Sequence, residues 1–189
     1  MATPQAIVIG CSAGGLTALE SLFADIDPAL RQPIAVCCHT GSATVDLLCE
    51  LLARHATLPV EEARERAAMQ GGTIYVAPSG YHLLIEHSHR FALSVDQRVS
   101  FARPSIDVLF ESAAEAWGDG LIGVLLTGAN SDGANGLQRI RACGGLAIVQ
   151  DPADAESPAM PIAALERAGA DHCLPLTAIA PLINRLCLQ

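Results

Sequence analysis

The sequence contains no lysine; its 11 basic residues are all arginine. Schiff-base catalysis is therefore excluded, as is a Walker-type loop that places its lysine on a phosphate. There is no basic cluster either. With a formal net charge of −9, a nucleic-acid partner is not expected. No apolar run is long enough to span a bilayer, so direct membrane insertion is not expected. Residues 1–5 have no basic region ahead of an apolar stretch, as a secretory signal would. The 7 cysteines include no CxxC spacing. Disulfides and a zinc site are therefore not expected. The cysteines read as buried free thiols in a reducing, cytoplasmic compartment. Cys37 and Cys38 are adjacent in an apolar strand and should point to opposite faces.

What remains is an apolar chain, 51% hydrophobic and 16% charged over 189 residues. That composition suits one domain, residues 1–189, with a full core. Short apolar segments alternate with segments of helical periodicity. Strands are expected at 6–9, 34–38, 73–77, 123–126 and 146–149. Helices are expected at 14–23, 44–54, 106–117, 133–143, 161–168 and 178–186. This alternation predicts an α/β fold, a mostly parallel sheet with helices on both faces. Residues 82–86 and 91–95, joined by the polar turn His87-Ser88-His89-Arg90, predict an antiparallel hairpin appended to that sheet. The first strand begins near residue 6, and no domain is expected before it.

Ligands of open α/β sheets bind beyond the carboxyl ends of the strands. The first strand runs into Gly10-Cys11-Ser12-Ala13-Gly14-Gly15, the second into His39, and the strand through Leu126 into Thr127-Gly128-Ala129-Asn130-Ser131-Asp132. A Ser, a His and an Asp are thus expected at one edge. GxSxG between a strand and a helix is the context of a nucleophile elbow. The spacing is not GxGxxG, and His39 stands where a dinucleotide site would place an acid. Ser12 becomes a candidate nucleophile, His39 its base, and Asp132 the group that orients the imidazole. Taken singly, each residue has a plainer role. For Asp132 that role is capping the helix that follows it. Asp151, at the end of another strand, is an equal candidate for the acid on topology alone. The order Ser, His, Asp differs from that of the α/β-hydrolases.

The motifs resemble the catalytic domain of the chemotaxis protein-glutamate methylesterases, the CheB family, over essentially the whole chain. They are residues 9–15, His39, Tyr75-Val76-Ala77-Pro78 with His82, residues 103–110, Leu126-Thr127-Gly128, Asp132-Gly133-Ala134, Gln150-Asp151-Pro152 and Met160-Pro161. The resemblance implies a sheet of about seven strands in a single three-layer domain. It also implies a triad of Ser12, His39 and Asp132, which decides against Asp151, and oxyanion donors at the backbone of Ala13 and Ala129. The implied reaction is hydrolysis of glutamate methyl esters on the cytoplasmic helices of chemoreceptors, with glutamine deamidation as a related activity. No metal or organic cofactor is implied. Other chemosensory proteins are further candidate partners that the resemblance implies.

The chain departs from the family pattern at Ala13, at Thr40-Gly41 and at Gly128-Ala129-Asn130. The N-terminal receiver domain usual in the family is not expected here. The triad is intact and its rim altered, so a binding or scaffold protein with weak or lost catalysis is the alternative. Smaller expectations concern single residues. Ser105 should cap the helix at 106, and His82 should either line the cleft or make structural hydrogen bonds. Arg103 should form a salt bridge, with a substrate-side charge for an acidic helix as its alternative; His87 and His89 should be solvated rather than a metal pair, and Trp117 should pack a helix end on the core.

Overall fold

The computed structural model describes residues 3–39 and 45–188. The strands are β1 (Ala6–Cys11), β2 (Ile34–Cys38), β3 (Val60–Glu62), β4 (Ile74–Val76), β5 (His82–Ile85), β6 (Phe91–Ser94), β7 (Leu121–Leu125), β8 (Leu146–Gln150) and β9 (His172–Leu174). The helices are α1 (Gly15–Ala24), α2 (Val45–Ala53), α3 (Ile106–Trp117), α4 (Ala134–Ala142), α5 (Ala159–Arg167) and α6 (Leu176–Cys187). Seven strands form one parallel sheet in the order β3-β4-β2-β1-β7-β8-β9.

The inner strands read as continuous apolar runs because both faces are covered. Ile7, Ile9 and Cys11 enter the core shared with α1, α2 and α6. Ala6 and Val8 enter the opposite core, under α3, α4 and α5. Cys38 lies in the first core and Cys37 in the second, as their adjacency requires.

Three features differ from expectation. The hairpin β5–β6 is a separate antiparallel sheet, not an extension of the main one. It packs sideways, with Leu83, Ile85 and Phe91 in the core beneath α3, and Ile85 donates its N–H to the Ser112 hydroxyl at 3.1 Å. The edge strands β3 and β9 have no apolar run to announce them. Val60-Glu61-Glu62 and His172-Cys173-Leu174 are only partly buried, and pairing with β4 and β8 makes them strands. Finally, all seven thiols are free, but Cys173 is exposed and Cys49 and Cys143 are half-buried.

The chain reverses direction along the sheet at β1, with β2 on one side and β7 on the other. That switch point opens a crevice at the carboxyl ends of these three strands. The site is found there.

Candidate active site

The turn that leaves β1 is closed by Gly15 N–H donating to Ser12 O at 2.8 Å. Gly14 sits at its third position with φ 76° and ψ 0°, as a type II turn requires. A side chain there would be strained, and its Cβ would meet Glu156 at 2.8 Å. Thr127, two residues beyond the β7 end at Leu125, clasps this turn. Its carbonyl accepts from Ser12 N–H at 2.9 Å. Its hydroxyl donates to Ala13 O and accepts from Ser157 N–H, both at 2.8 Å. The Ser12 backbone is thereby tied to a second strand, and α1 starts behind it with no side-chain cap. Ala13 and Ala129 are exposed. Among the described residues, neither backbone N–H donates to a protein acceptor.

His39 follows β2, and its backbone N–H donates to Cys11 O at 3.1 Å. Its Nε2 lies 2.9 Å from Asp132 Oδ2. The His39 side chain is 14% exposed and that of Asp132 is 0% exposed. With Nε2 engaged, Nδ1 is the nitrogen left to act as a base. Ser12 and His39 line the same cavity of about 500 Å³ and also a smaller one of about 260 Å³ bordered by Glu156. Among the described residues, no hydrogen bond joins the Ser12 hydroxyl to the ring. Catalytic hydrogen bonds are commonly loose in resting enzymes and tighten around substrate.

Asp132 does cap a helix, but not the one that follows it. Oδ2 accepts from Ile106 N–H at 2.7 Å, and Oδ1 accepts from Asp107 N–H at 3.0 Å and from the Ser105 hydroxyl at 2.8 Å. These donors form the N-terminus of α3, where Ser105 is the N-cap residue and also accepts from Val108 N–H. In return Asp107 Oδ1 accepts from Gly136 N–H at 2.7 Å in the first turn of α4. Each helix thus receives its N-terminal carboxylate from beside the other, which satisfies orphan N–H groups and complements both helix dipoles. The close approach depends on Gly10, where a Cβ would fall 2.4 Å from Ile106 Cγ2.

Burial alone would raise the Asp132 carboxyl. Hydrogen bonds from His39, the Asp107 and Ile106 N–H groups and Ser105 outweigh it and hold the carboxyl below the ordinary aspartate value. The opposite holds for Asp107. Burial, with the Asp132 charge in support, pushes it up against the N–H groups that bind it. The carboxyl paired with His39 is therefore the one whose charged form the surroundings favour.

The rival acid Asp151 is only partly buried and accepts from Ala153 N–H at 2.9 Å in its own turn. Of the two roles expected for His82, its hydrogen bonds fit the structural one. Its Nε2 faces Gln97 O at 2.9 Å, and its Nδ1 accepts from Ser105 N–H at 3.2 Å. Arg103 forms no salt bridge with any described residue. It donates instead to the carbonyls of Val95 and Asp96, at 2.7 and 3.0 Å. His89 stacks on Trp117 with ring centroids 4.8 Å apart, and Trp117 packs on the core. Thr40 and Gly41 lie outside the described residues. Sequence reasoning missed Ser105, Asp107 and Thr127 as supports of the site. The Ser-Ile-Asp run that opens α3 was the available signal, and its target on another helix was not.

The model of the CheB methylesterase family matches residues 7–183. The chain belongs to the CheB methylesterase family. A protein of Leptospira interrogans, provisionally named a protein-glutamate methylesterase/protein-glutamine glutaminase, is 46% identical over 96% of this chain and 94% of its own length. The protein-glutamate methylesterase/protein-glutamine glutaminase of Mesorhizobium japonicum is 38% identical over 98% of this chain, which spans 55% of that longer relative. The crystal structure of the Thermotoga maritima CheB methylesterase catalytic domain superposes with a TM-score of 0.93 at 28% identity, covering 97% of this chain and 98% of that one. Among the described residues, no helix is long and apolar enough to cross a membrane.

Proposed function

We propose that the chain is a serine hydrolase that removes methyl esters from glutamate side chains of chemoreceptors, and that it deamidates glutamine at such positions. The observation that carries this reading is the 2.9 Å bond from His39, which lines a cavity together with Ser12, to the buried carboxylate of Asp132. His39 Nδ1 takes the Ser12 proton as Oγ attacks the ester carbonyl. The N–H groups of Ala13 and Ala129 receive the developing oxyanion. The imidazolium, steadied by Asp132, returns the proton to the leaving methoxide, and methanol departs. Water then attacks the acyl-serine by the same route, releasing the glutamate carboxylate and restoring Ser12.

The cavity suits a polyanionic partner. Arg98 and Arg103 line it, no Asp or Glu does among the described residues, and the chain as a whole carries a net charge of −9. Phe101, 97% exposed on the same rim, offers an apolar contact. An acidic receptor helix would meet both. A scaffold role without catalysis is not favoured, because the departures at Ala13 and Ala129 alter side chains at positions that would act through backbone N–H groups.

The test is methanol release from methylated receptor together with fluorophosphonate labelling. Ser12→Ala should abolish both while leaving the fold intact. Undiminished methanol release by that variant would exclude the serine mechanism.

A further inference from the structure

Cys11 is the last residue of β1 and Cys38 the last of β2. They are directly paired in the parallel register, and both side chains enter the same core. Each immediately precedes a residue of the proposed triad. A Cβ on Gly15 would lie 2.7 Å from Cys11 Sγ and 3.3 Å from Cys38 Sγ, so the two sulfurs fill one space beneath the first turn of α1. Cys38 also borders both cavities that contain Ser12 and His39, which gives a small solute a route to its sulfur. Cys37 faces the opposite core and cannot compete. Neighbouring strands run about 4.8 Å apart, inside the range of Cα separations that disulfides bridge.

We propose that this dithiol is an oxidation site, which a hydroperoxide converts to a Cys11–Cys38 disulfide that switches the adjacent hydrolase off. Cys38 is the attacking sulfur. Contact with the Cys11 thiol holds it below the ordinary cysteine value, against burial, while the same contact and burial push Cys11 up. The Cys38 thiolate attacks the peroxide oxygen, the O–O bond breaks, and sulfenic acid and hydroxide form. The Cys11 thiol then displaces water from that sulfenic acid, its proton leaving with the water, and the S–S bond closes. Two electrons pass from the two sulfurs to the peroxide.

A disulfide brings its Cβ atoms to about 3.8 Å, closer than the strand spacing. Closure therefore draws the ends of β1 and β2 together and moves Ser12 against His39. A misplacement near 1 Å costs about a hundredfold in rate. The resulting strained bond is readily reduced, as a regulatory disulfide must be.

Formation of the disulfide stands on its own, whereas its effect on rate rests on the proposed hydrolase activity. The experiment treats a Cys173→Ser background, which removes the exposed thiol, with hydrogen peroxide. Intact mass, peptide mapping and turnover of a small ester are then followed. The expected results are a loss of about 2 Da, a Cys11–Cys38 linked peptide, and at least a tenfold fall in turnover that dithiothreitol reverses. Cys11→Ala should prevent both the link and the reversible loss. A gain of about 32 Da on Cys38 without a linked peptide, or a linked protein with undiminished turnover, would overturn the proposal. If the reduced protein turns over no ester at all, the hydrolase reading fails, and the linked peptide still decides whether the dithiol oxidises.

Discussion

Asp132→Asn is the substitution that most directly separates the two duties of that carboxylate. Four donors share its two oxygens. Asp107 N–H and the Ser105 hydroxyl bind Oδ1, and Ile106 N–H and His39 Nε2 bind Oδ2. An asparagine has one accepting oxygen and one donating nitrogen, so either orientation turns an N–H of α3 against an NH2 group. One buried N–H left unpaired costs about 1–3 kcal/mol. Loss of the charge at the helix N-terminus adds about 0.3–1 kcal/mol. A total near 3 kcal/mol lowers the melting temperature of a domain this size by roughly 6–12 °C. If the amide nitrogen faces His39, it donates to Nε2 and moves the ring proton to Nδ1, where the base should be empty. Wrong-tautomer variants of this kind lose about 10⁴-fold in kcat.

The assay is turnover of a small ester at a temperature well below the melting point, with circular dichroism confirming the fold. The pH dependence gives a second check. The Asp132 carboxyl titrates lower in the folded than in the unfolded chain. Its stabilisation is therefore complete above the ordinary aspartate value and is lost as pH falls through the depressed folded value. The melting temperature of Asp132→Asn should be less sensitive to acid in that window. A folded variant within tenfold of the parent rate would refute the orienting role of Asp132. An unchanged acid profile would refute the electrostatic account of its place at α3.

Two further outcomes follow from the supports around the site. Thr127→Val keeps the shape but leaves Ala13 O and Ser157 N–H without their partner, at a cost of about 1–3 kcal/mol each where water cannot enter. Turnover of a small ester should fall at least tenfold and recover in Thr127→Ser, and equal turnover in all three proteins would show that the clasp does not set the Ser12 turn. Arg98→Gln removes a cation from the rim and should raise KM for methylated receptor by about two- to fivefold, with a weaker salt dependence. Hydrolysis of a small neutral ester should stay unchanged, and a loss of that activity instead would place Arg98 in the chemistry.

Much of this protein is local and therefore legible in one dimension. Continuous apolar runs could only be buried parallel strands, so β1, β2, β7 and β8 were visible. Ile106–Trp117 shows its helical period and its Ser105 cap directly. Ser12 and His39 follow strands that the periodicity locates, and Gly14 marks the turn between strand and helix. The edge strands β3 and β9 were not legible, because three half-exposed residues become a strand only when a neighbour offers its backbone. The hairpin was legible as a hairpin, but its detachment from the main sheet was not. That depends on its apolar face finding a better surface under α3 than at a sheet edge.

The sequence alone determined the α/β alternation, the absence of lysine chemistry and the presence of a Ser, a His and two rival acids at strand ends. It could not choose between Asp132 and Asp151 on pattern, because both end strands and both begin turns. Tertiary structure sets the two apart by their contacts. Asp132 meets His39 and the N-terminus of α3, while Asp151 stays in its own turn. Capping by a neighbouring helix has no sequence spacing, since its partners lie 25 or more residues apart and meet only after the helices pack. The pairing of Cys11 with Cys38 is of the same kind. Each thiol is an ordinary core residue in its own strand, and only the register of two parallel strands brings the sulfurs together beneath the site.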